Sequence, residues 1–131
     1  ASFTDMINVY FGSSKTFQVL ASGNVQNSNN SYGQISDVSL KENIVDANSQ
    51  WADIKAVKVR NYNFKEGQTH KQIGVIAQEI ETVSPGLVYE NSDNLKGVSH
   101  SILYMKAIKA LQEAMERIET LEAKVATLEG S

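Results

Sequence analysis

The feature that most constrains the fold is an unbroken helix-forming stretch near the C-terminal end, from Ser101 to Leu128. It contains no Gly or Pro and consists largely of strong helix formers. Apolar residues recur in it every seven positions, which is the spacing of a coiled-coil seam. The a positions are Leu111, Ile118 and Val125, and the d positions are Ala114, Leu121 and Leu128. A narrow seam of a few heptads is only marginally stable alone, so it predicts self-association.

Two further apolar residues, Ile108 and Met115, lie outside this seam and widen the apolar face of the N-terminal half of the helix. We therefore expect that half to pack on the rest of the domain as well as on a partner helix. The alternative is that the whole helix packs back onto its own domain. Because β-branched a residues with Leu at d favour two strands, the seam alone does not indicate a trimer.

Size and charge limit the classes of protein to which the chain can belong. A domain of 131 residues buries roughly 65 to 70% of its unfolded surface, and a net charge of −3 leaves no basic stripe for nucleic acid. No apolar run approaches the ~20 residues that cross a bilayer, and residues 1–20 lack the pattern of a secretory signal. We expect a soluble protein with no nucleic acid or membrane partner. Because it does not begin with Met, we also expect a piece of something longer.

No group of residues indicates a cofactor or a metal ion. Cysteine is absent, and His70 and His100 stand apart, so we interpret the histidines as turn or capping residues. The glycines are scattered and form no phosphate loop, dinucleotide fingerprint or nucleophile elbow. The carboxylates of the long helix recur every third residue and are interpreted as its solvated face: Glu113, Glu116, Glu119 and Glu122.

Residues 1–35 predict short strands joined by turns. They are rich in Ser, Asn, Gly and Thr, and the apolar runs 6–11 and 17–20 are the predicted strands, with Val25 following a turn signal. Residues 26–33, QNSNNSYG, have little to bury and many groups that can bond their own backbone. They predict an exposed loop or linker.

Residues 36–100 have a globular pattern of short helices and strands. Ser39 and Glu42 fit a capping box, and Leu40, Ile44 and Val45 follow at helical spacing, which predicts a short helix. The ranges 56–64 and 72–76 predict a β-hairpin, 77–83 a helix that Ser84-Pro85-Gly86 ends, and 87–89 a strand followed by a turn at 90–94. The whole is an expected α+β fold: a small mixed domain followed by a long coiled-coil helix.

Ser36 and Lys41 are the residues with the clearest chemical potential. A serine hydroxyl becomes a nucleophile when a base takes its proton, and an uncharged lysine can be that base. Five residues along a regular helix are about 140° apart, so the pair can meet only if Ser36 and Asp37 precede the helix, or if the lysine comes from a neighbouring subunit. Spacing alone favours another interpretation, in which Ser36, Asp37 or Ser39 caps the helix and Lys41 faces solvent.

Three blocks of sequence, in this order, resemble one known family. They are SDVSLKENI from Ser36, GVIAQEIETVSPGLV from Gly74, and the C-terminal segment from Val98 to Glu129. Together they resemble the intramolecular chaperone auto-processing domain, an endosialidase-type peptidase at the C-terminus of bacteriophage tail spikes, tail fibres and neck appendages. The resemblance covers about residues 36–128. In that family an S-D-x-x-L-K-x-x-I block carries a serine–lysine dyad, and the chain is cut immediately before the serine.

The resemblance implies Ser36 as nucleophile, Lys41 as base and Ile35-Ser36 as the scissile bond. It also implies a homotrimer, which the seam permits. Residues 1–35 would be the end of an upstream fibre or spike with a flexible linker, 36–100 the chaperone and auto-processing core, and 101–131 the trimeric coiled coil. Ser39 stands where family members often have a charged residue, a difference outside the dyad.

The function that the resemblance implies is a folding device. The domain would trimerise, align the upstream fibre of the same chain for folding, and then release itself in one turnover as a self-cleaving serine peptidase without a cofactor. This would take place in the cytoplasm of the bacterial host during phage assembly, with the upstream product entering the virion tail.

Two other functions remain open at the level of the sequence. The first is a trimerisation module of the same fold that does not cut. The second is a receptor-binding fibre tip, for which the polar Asn/Ser segment and the aromatic residues Trp51 and Tyr62 could provide sugar contacts. A core role for the two aromatic residues is favoured over sugar binding.

Overall fold

The computed structural model describes residues 5–130, which form an α+β fold as predicted. Its strands are β1 (Asp5–Phe11), β2 (Ser14–Leu20), β3 (Val25–Asn27), β4 (Arg60–Tyr62), β5 (Gln72–Gly74), β6 (Val88–Glu90) and β7 (Lys96–Val98). Its helices are α1 (Trp51–Ala56), α2 (Ala77–Val83) and α3 (His100–Glu129), and 3₁₀ turns occupy Val38–Leu40 and Pro85–Leu87. The residues up to 44 form one compact unit with 63–70, and 45–62 form a second unit with the residues from 71 onward.

The first unit contains an antiparallel sheet in the order β1-β2-β3, so the predicted N-terminal strands are confirmed. Gly12, with a φ of +62°, supplies the left-handed backbone of the turn between β1 and β2. Paired residues share a face of a sheet, and the register separates an apolar face from an amide face. The mainly apolar face carries Ile7, Val9, Phe17, Val19 and Val25 together with Asn27, and the amide face carries Asn8, Gln18 and Gln26.

The helix predicted to begin at the Ser39 capping box is not formed. Only Val38–Leu40 is helical, as one 3₁₀ turn, and Lys41 already has an extended backbone with a φ of −125°. Asn43 has a φ of +53°, a conformation in which a right-handed helix cannot continue. The apolar residues Ile44 and Val45 are exposed instead of forming a helix face.

The core of the second unit lies where α2, the 3₁₀ turn at 85–87 and α3 meet. Ile80, Leu87 and Leu103 are its buried residues, with exposed fractions of 1%, 4% and 8%. Side chains that are partly buried pack against them: Ile54, Val57, Val75, Val88 and Val98. Helix α2 confirms the predicted helix at 77–83: it ends at Val83, and Ser84 is its C-cap before Pro85.

Two antiparallel hairpins flank this core. The predicted hairpin exists as β4 and β5, although both strands are shorter than predicted and α1 occupies Trp51–Ala56. The second hairpin pairs β6 with β7, and its return strand was not predicted because Lys96-Gly97-Val98 offers only one apolar side chain. Its turn is organised by Asn91, whose side-chain oxygen accepts hydrogen bonds from the amides of Asp93 and Leu95 at 2.9 and 3.0 Å.

Helix α3 spans His100–Glu129, one residue longer at each end than predicted. Its N-terminal half packs on its own unit as expected, but through Leu103 and Ala110; Ile108 and Met115 are about half exposed. The larger seam side chains are between 50% and 73% exposed: Leu111, Ile118, Leu121, Val125 and Leu128. The C-terminal half therefore does not fold back onto a core. No helix within residues 5–130 combines the length and hydropathy that crossing a bilayer requires.

Candidate active site

The side chains of Ser36 and Lys41 are in direct contact. The Nζ of Lys41 donates a hydrogen bond to the Oγ of Ser36 within the same chain. Ser36 and Asp37 precede the 3₁₀ turn instead of lying in a helix, which is one of the two arrangements under which the spacing allows the pair to meet. The contact brings a potential nucleophile and a potential base together without a histidine.

The turn between the two residues is held by hydrogen bonds of its own. Asp37 is its N-cap, with an extended backbone at φ −65° and ψ 141°, and its Oδ1 accepts the amide N–H of Ser39 at 2.8 Å. The amide of Leu40 donates to the carbonyl of Asp37, and that of Lys41 donates to the carbonyl of Val38, both at 3.1 Å. Capping by Asp37 and pairing of Lys41 with Ser36 therefore occur together, although the sequence presented them as rivals.

Hydrogen bonds from the Ser39 side chain and from its backbone N–H hold the pKa of the Asp37 carboxyl below its usual range. The carboxylate is therefore ionised at neutral pH. Because it accepts from the backbone, it strengthens the turn in the manner of an Asx cap.

The pair lies in an open part of the single chain. Ser36 and Lys41 are both exposed, and so are the apolar side chains that flank them in sequence. Those apolar residues are between 65% and 84% exposed: Ile35, Val38, Leu40, Ile44 and Val45. So many exposed apolar side chains along one short stretch of chain are typical of a surface that another chain covers.

The approach to Ser36 is irregular and polar, as predicted for QNSNNSYG. After β3, the side chain of Asn27 donates a hydrogen bond to the carbonyl of Ser31 at 2.7 Å, and Asn30 has a φ of +47°. Residues 28–37 contain no helix or strand, and Ile35 is 84% exposed. The peptide bond before Ser36 is therefore accessible from the linker side.

The two histidines and the two aromatic residues that the sequence singled out make ring contacts or lie in a bend. His100 is the first residue of α3 and its ring stacks on that of Tyr104, with 6.1 Å between centroids, whereas His70 lies in an exposed bend. Trp51 lies beneath the guanidinium of Arg117, and the half-buried ring of Tyr62 lies over Gly74. Within the described part of the chain, no three His, Asp or Glu side chains cluster as a metal site requires.

Sequence reasoning misplaced one carboxylate. Glu113 was assigned to the solvated face of α3, yet its two oxygens accept hydrogen bonds from the Ser49 hydroxyl at 2.6 Å and the Gln50 amide at 2.7 Å. These bonds hold the start of α1. A single sequence gives no signal for them, because the partners are more than sixty residues apart.

Comparison with known proteins supports the resemblance drawn from the sequence. Residues 36–89 match the model of the peptidase S74 family, described as chaperone of endosialidase. The matched segment begins at Ser36 and contains Lys41, so both members of the hydrogen-bonded pair lie inside it.

A curated relative extends the similarity over most of the chain. It is a probable tail fiber protein of Escherichia phage Phieco32, which is 28% identical over 130 residues. The similarity covers 91% of this chain and 18% of that protein, so the chain corresponds to a small part of the relative's length. The expected resemblance to an intramolecular chaperone domain of phage tail proteins is thereby confirmed.

Proposed function

We propose that this chain, whose residues 36–89 match the chaperone of endosialidase family, is the C-terminal intramolecular chaperone of a phage tail fibre and removes itself by autoproteolysis. In this proposal Ser36 is the nucleophile, Lys41 is the base and Ile35-Ser36 is the scissile bond. The observation that carries it is the hydrogen bond from Lys41 to Ser36, located where the family match begins.

The chemistry requires one water molecule and no cofactor. Lys41 in its uncharged form takes the proton of the Ser36 hydroxyl, and the oxygen attacks the carbonyl carbon of Ile35. A C–O bond forms, the C–N bond breaks, and the nitrogen of Ser36 receives the proton from Lys41. Water then hydrolyses the ester, which leaves a carboxylate on Ile35 and restores the hydroxyl of a Ser36 that is now N-terminal.

Association of chains provides the conditions that this chemistry needs. A lysine loses its proton more readily where water is excluded, and Lys41 is exposed in the single chain. Burial of the apolar side chains beside the pair, such as Ile35 and Val38, by neighbouring subunits would exclude that water. Cleavage would then follow assembly, and the uncut chain would persist until the trimer has formed.

The seam of α3 is the proposed trimer contact. Its side chains from Ile118 to Val125 are about half exposed in the single chain, although α3 already packs on its own unit through Leu103. Joining three chains at this helix raises their local concentration and fixes their alignment. Fibres built from long-range strand pairings form slowly and expose unpaired edges, so prior alignment benefits them.

The proposal also assigns the regions of the chain. Residues 1–35, with the three-stranded sheet and the polar linker, are the end of the upstream fibre; 36–100 are the auto-processing core; and 101–131 are the trimeric coiled coil. The process would take place in the host cell during virion assembly. The upstream product stays in the tail, and the chaperone leaves after the cut.

The mass and the N-terminal residue of the products test this proposal. Expressed behind its natural upstream sequence, the wild-type chain should yield a fragment that begins at Ser36. Ser36→Ala and Lys41→Ala should remain full length and still form trimers. Cleavage that continues in Ser36→Ala, or a fragment that begins at another residue, would contradict the assignment.

A non-cleaving trimerisation module is the second candidate, and the exposure of both Ser36 and Lys41 favours it. It predicts that the wild-type chain stays full length after it has become trimeric. The same mass measurement on purified trimer separates the two functions.

A further inference from the structure

We propose that Asp37 is the positioning residue of the self-cleavage reaction: by capping the 3₁₀ turn at Val38–Leu40 it keeps the amine of Lys41 on the hydroxyl of Ser36. This inference rests on the proposed function and adds a residue to it. Asp37 follows the nucleophile directly, but its carboxylate bonds to the Ser39 amide at 2.8 Å and not to either member of the pair.

The path of the backbone explains why the cap matters. Between Ser36 and Lys41 the chain must reverse enough for side chains five residues apart to touch, and a regular helix would place them on different sides. One short turn achieves the reversal, and it is closed by two 3.1 Å backbone bonds, from Leu40 to Asp37 and from Lys41 to Val38. An isolated turn of this length is not cooperative, so a side-chain cap supplies a large share of its stability.

The residues beyond the turn add to its dependence on Asp37. Val38 and Leu40 are 70% and 69% exposed, so packing of their side chains does not hold the turn in the single chain. Asn43 then takes the left-handed conformation and ends the reversal. The turn is therefore maintained by the hydrogen bond between the Asp37 carboxylate and the Ser39 amide.

If Asp37 acts as a cap, its substitutions should rank in one order of cleavage rate; if it acts through its charge, they should rank in the opposite order. Asp37→Asn and Asp37→Ser lose the charge but keep an acceptor at capping distance, whereas Asp37→Glu keeps the charge on a side chain too long for the same bond. If Asp37 acts as a cap, Asn and Ser retain cleavage close to the wild-type rate. Under the same hypothesis Glu and Ala slow it by roughly threefold to thirtyfold, the range that loss of an N-cap produces.

The experiment follows the rate at which the fragment beginning at Ser36 appears when each full chain is expressed with its upstream sequence. Asp46→Ala is the matched control, because it removes an exposed carboxylate a few residues beyond Lys41 and changes the net charge equally. The control should cleave at the wild-type rate. Wild-type cleavage in Asp37→Ala, or faster cleavage in Asp37→Glu than in Asp37→Asn, would overturn the inference.

A second measurement does not depend on cleavage. In the uncut Ser36→Ala chain, hydrogen exchange at the Ser39 amide should be slowed by the Asp37 cap, and adding Asp37→Ala should accelerate it while Asp37→Asn should not. Equal exchange in all three chains would overturn the inference. If the Ser36→Ala chain is still cleaved, the proposed function fails. If it is not cleaved and only the cleavage rates or exchange rates of the Asp37 variants differ from those expected, the positioning role alone fails.

Discussion

The Oε1 atom of Glu113 accepts a hydrogen bond from the backbone amide of Gln50 at 2.7 Å, across 63 positions of sequence. The other oxygen of the same carboxylate accepts the hydroxyl of Ser49. Glu113 thus caps the start of α1 from a distant segment, beside the local bond from the Trp51 amide to the Ser49 hydroxyl at 3.4 Å. The Gln50 side chain makes no capping bond. An ion pair of 3.1 Å between Lys106 and Asp53 holds α1 and α3 together at a second point.

The first prediction concerns this cap. Glu113→Ala should lower the melting temperature of the folded chain by several degrees, because the Ser49 hydroxyl and the Gln50 amide lose their acceptor. Glu116→Ala, one position of the same exposed series on α3, should leave it nearly unchanged. Thermal unfolding followed by circular dichroism measures both. Equal melting temperatures for the two variants would show that the cap contributes nothing.

The second prediction is a loss of stability in acid. Hydrogen bonds from Ser49 and from the Gln50 amide lower the pKa of Glu113, and its bond with Arg60 lowers that of Glu79. A carboxyl with a lowered folded pKa adds stability above its unfolded value and loses that contribution as the pH falls through the folded value. The free energy of unfolding should therefore decline as the pH drops below about 5.

Glu113→Gln isolates one of these two contributions. The decline should become shallower in this variant and remain partly present, because Glu79 is unchanged. Urea titrations at a series of pH values give the comparison. A decline of the same slope in Glu113→Gln and in the wild-type chain would contradict the role of Glu113.

The third prediction uses the single tryptophan of the chain. The Cζ of Arg117 lies 3.6 Å from the centre of the Trp51 ring, close enough for a cation–π contact of about 0.5–1 kcal/mol. Arg117→Ala should change the intensity and wavelength of the Trp51 emission, while Lys124→Ala on the same helix should not. An unchanged spectrum in Arg117→Ala would contradict the contact between Arg117 and the Trp51 ring.

The fourth prediction concerns the seam of α3. Leu121→Asp places a charge at a d position, where desolvation on association would be costly, so the variant should be monomeric where the wild-type chain is associated. Thr120→Asp makes the same kind of change at a neighbouring position outside the seam and should associate normally. Light scattering after gel filtration gives the mass of each. Trimers in both variants would place the contact elsewhere.

The fifth prediction concerns the small core of the second unit. Ile80 is 1% exposed, so Ile80→Ala should cost about 2–5 kcal/mol and Ile80→Val about 0.5–1.5 kcal/mol of unfolding free energy. Ile73 is 72% exposed, and Ile73→Ala should cost less than about 0.5 kcal/mol. Denaturant unfolding separates these values. A small cost at Ile80 would mean that the core is held mainly from outside the single chain.

Local signals were sufficient to predict several elements of the fold. The period of α3 and the Pro85 stop after α2 act within a few residues, and both were visible in the sequence. The prediction of a helix from Ser39 was wrong. The capping-box signal competed with the Asp37 cap and the left-handed conformation of Asn43, and these two determined the backbone. Propensity alone does not decide between such signals.

The candidate site was predictable in its residues but not in its geometry. The sequence identified Ser36 and Lys41 as a pair that could meet under stated conditions, and the turn that satisfies one of those conditions became visible only in the structure. The role of Glu113 was beyond reach because it depends on two segments meeting in space. Distant pairings of this kind leave no periodic trace in one chain.

The placement of contacts along α3 has a practical consequence. Its buried residues and the bonds to α1 described above lie at or before Arg117, while the exposed seam continues from Ile118 toward the end of the helix. A chain shortened after Arg117 should therefore keep the buried residues of the second unit and lose the distal part of the proposed trimer contact. Conversely, the distal stretch could be exchanged for a helix of known oligomeric state, which would set the number of associated chains without redesigning the domain that precedes it.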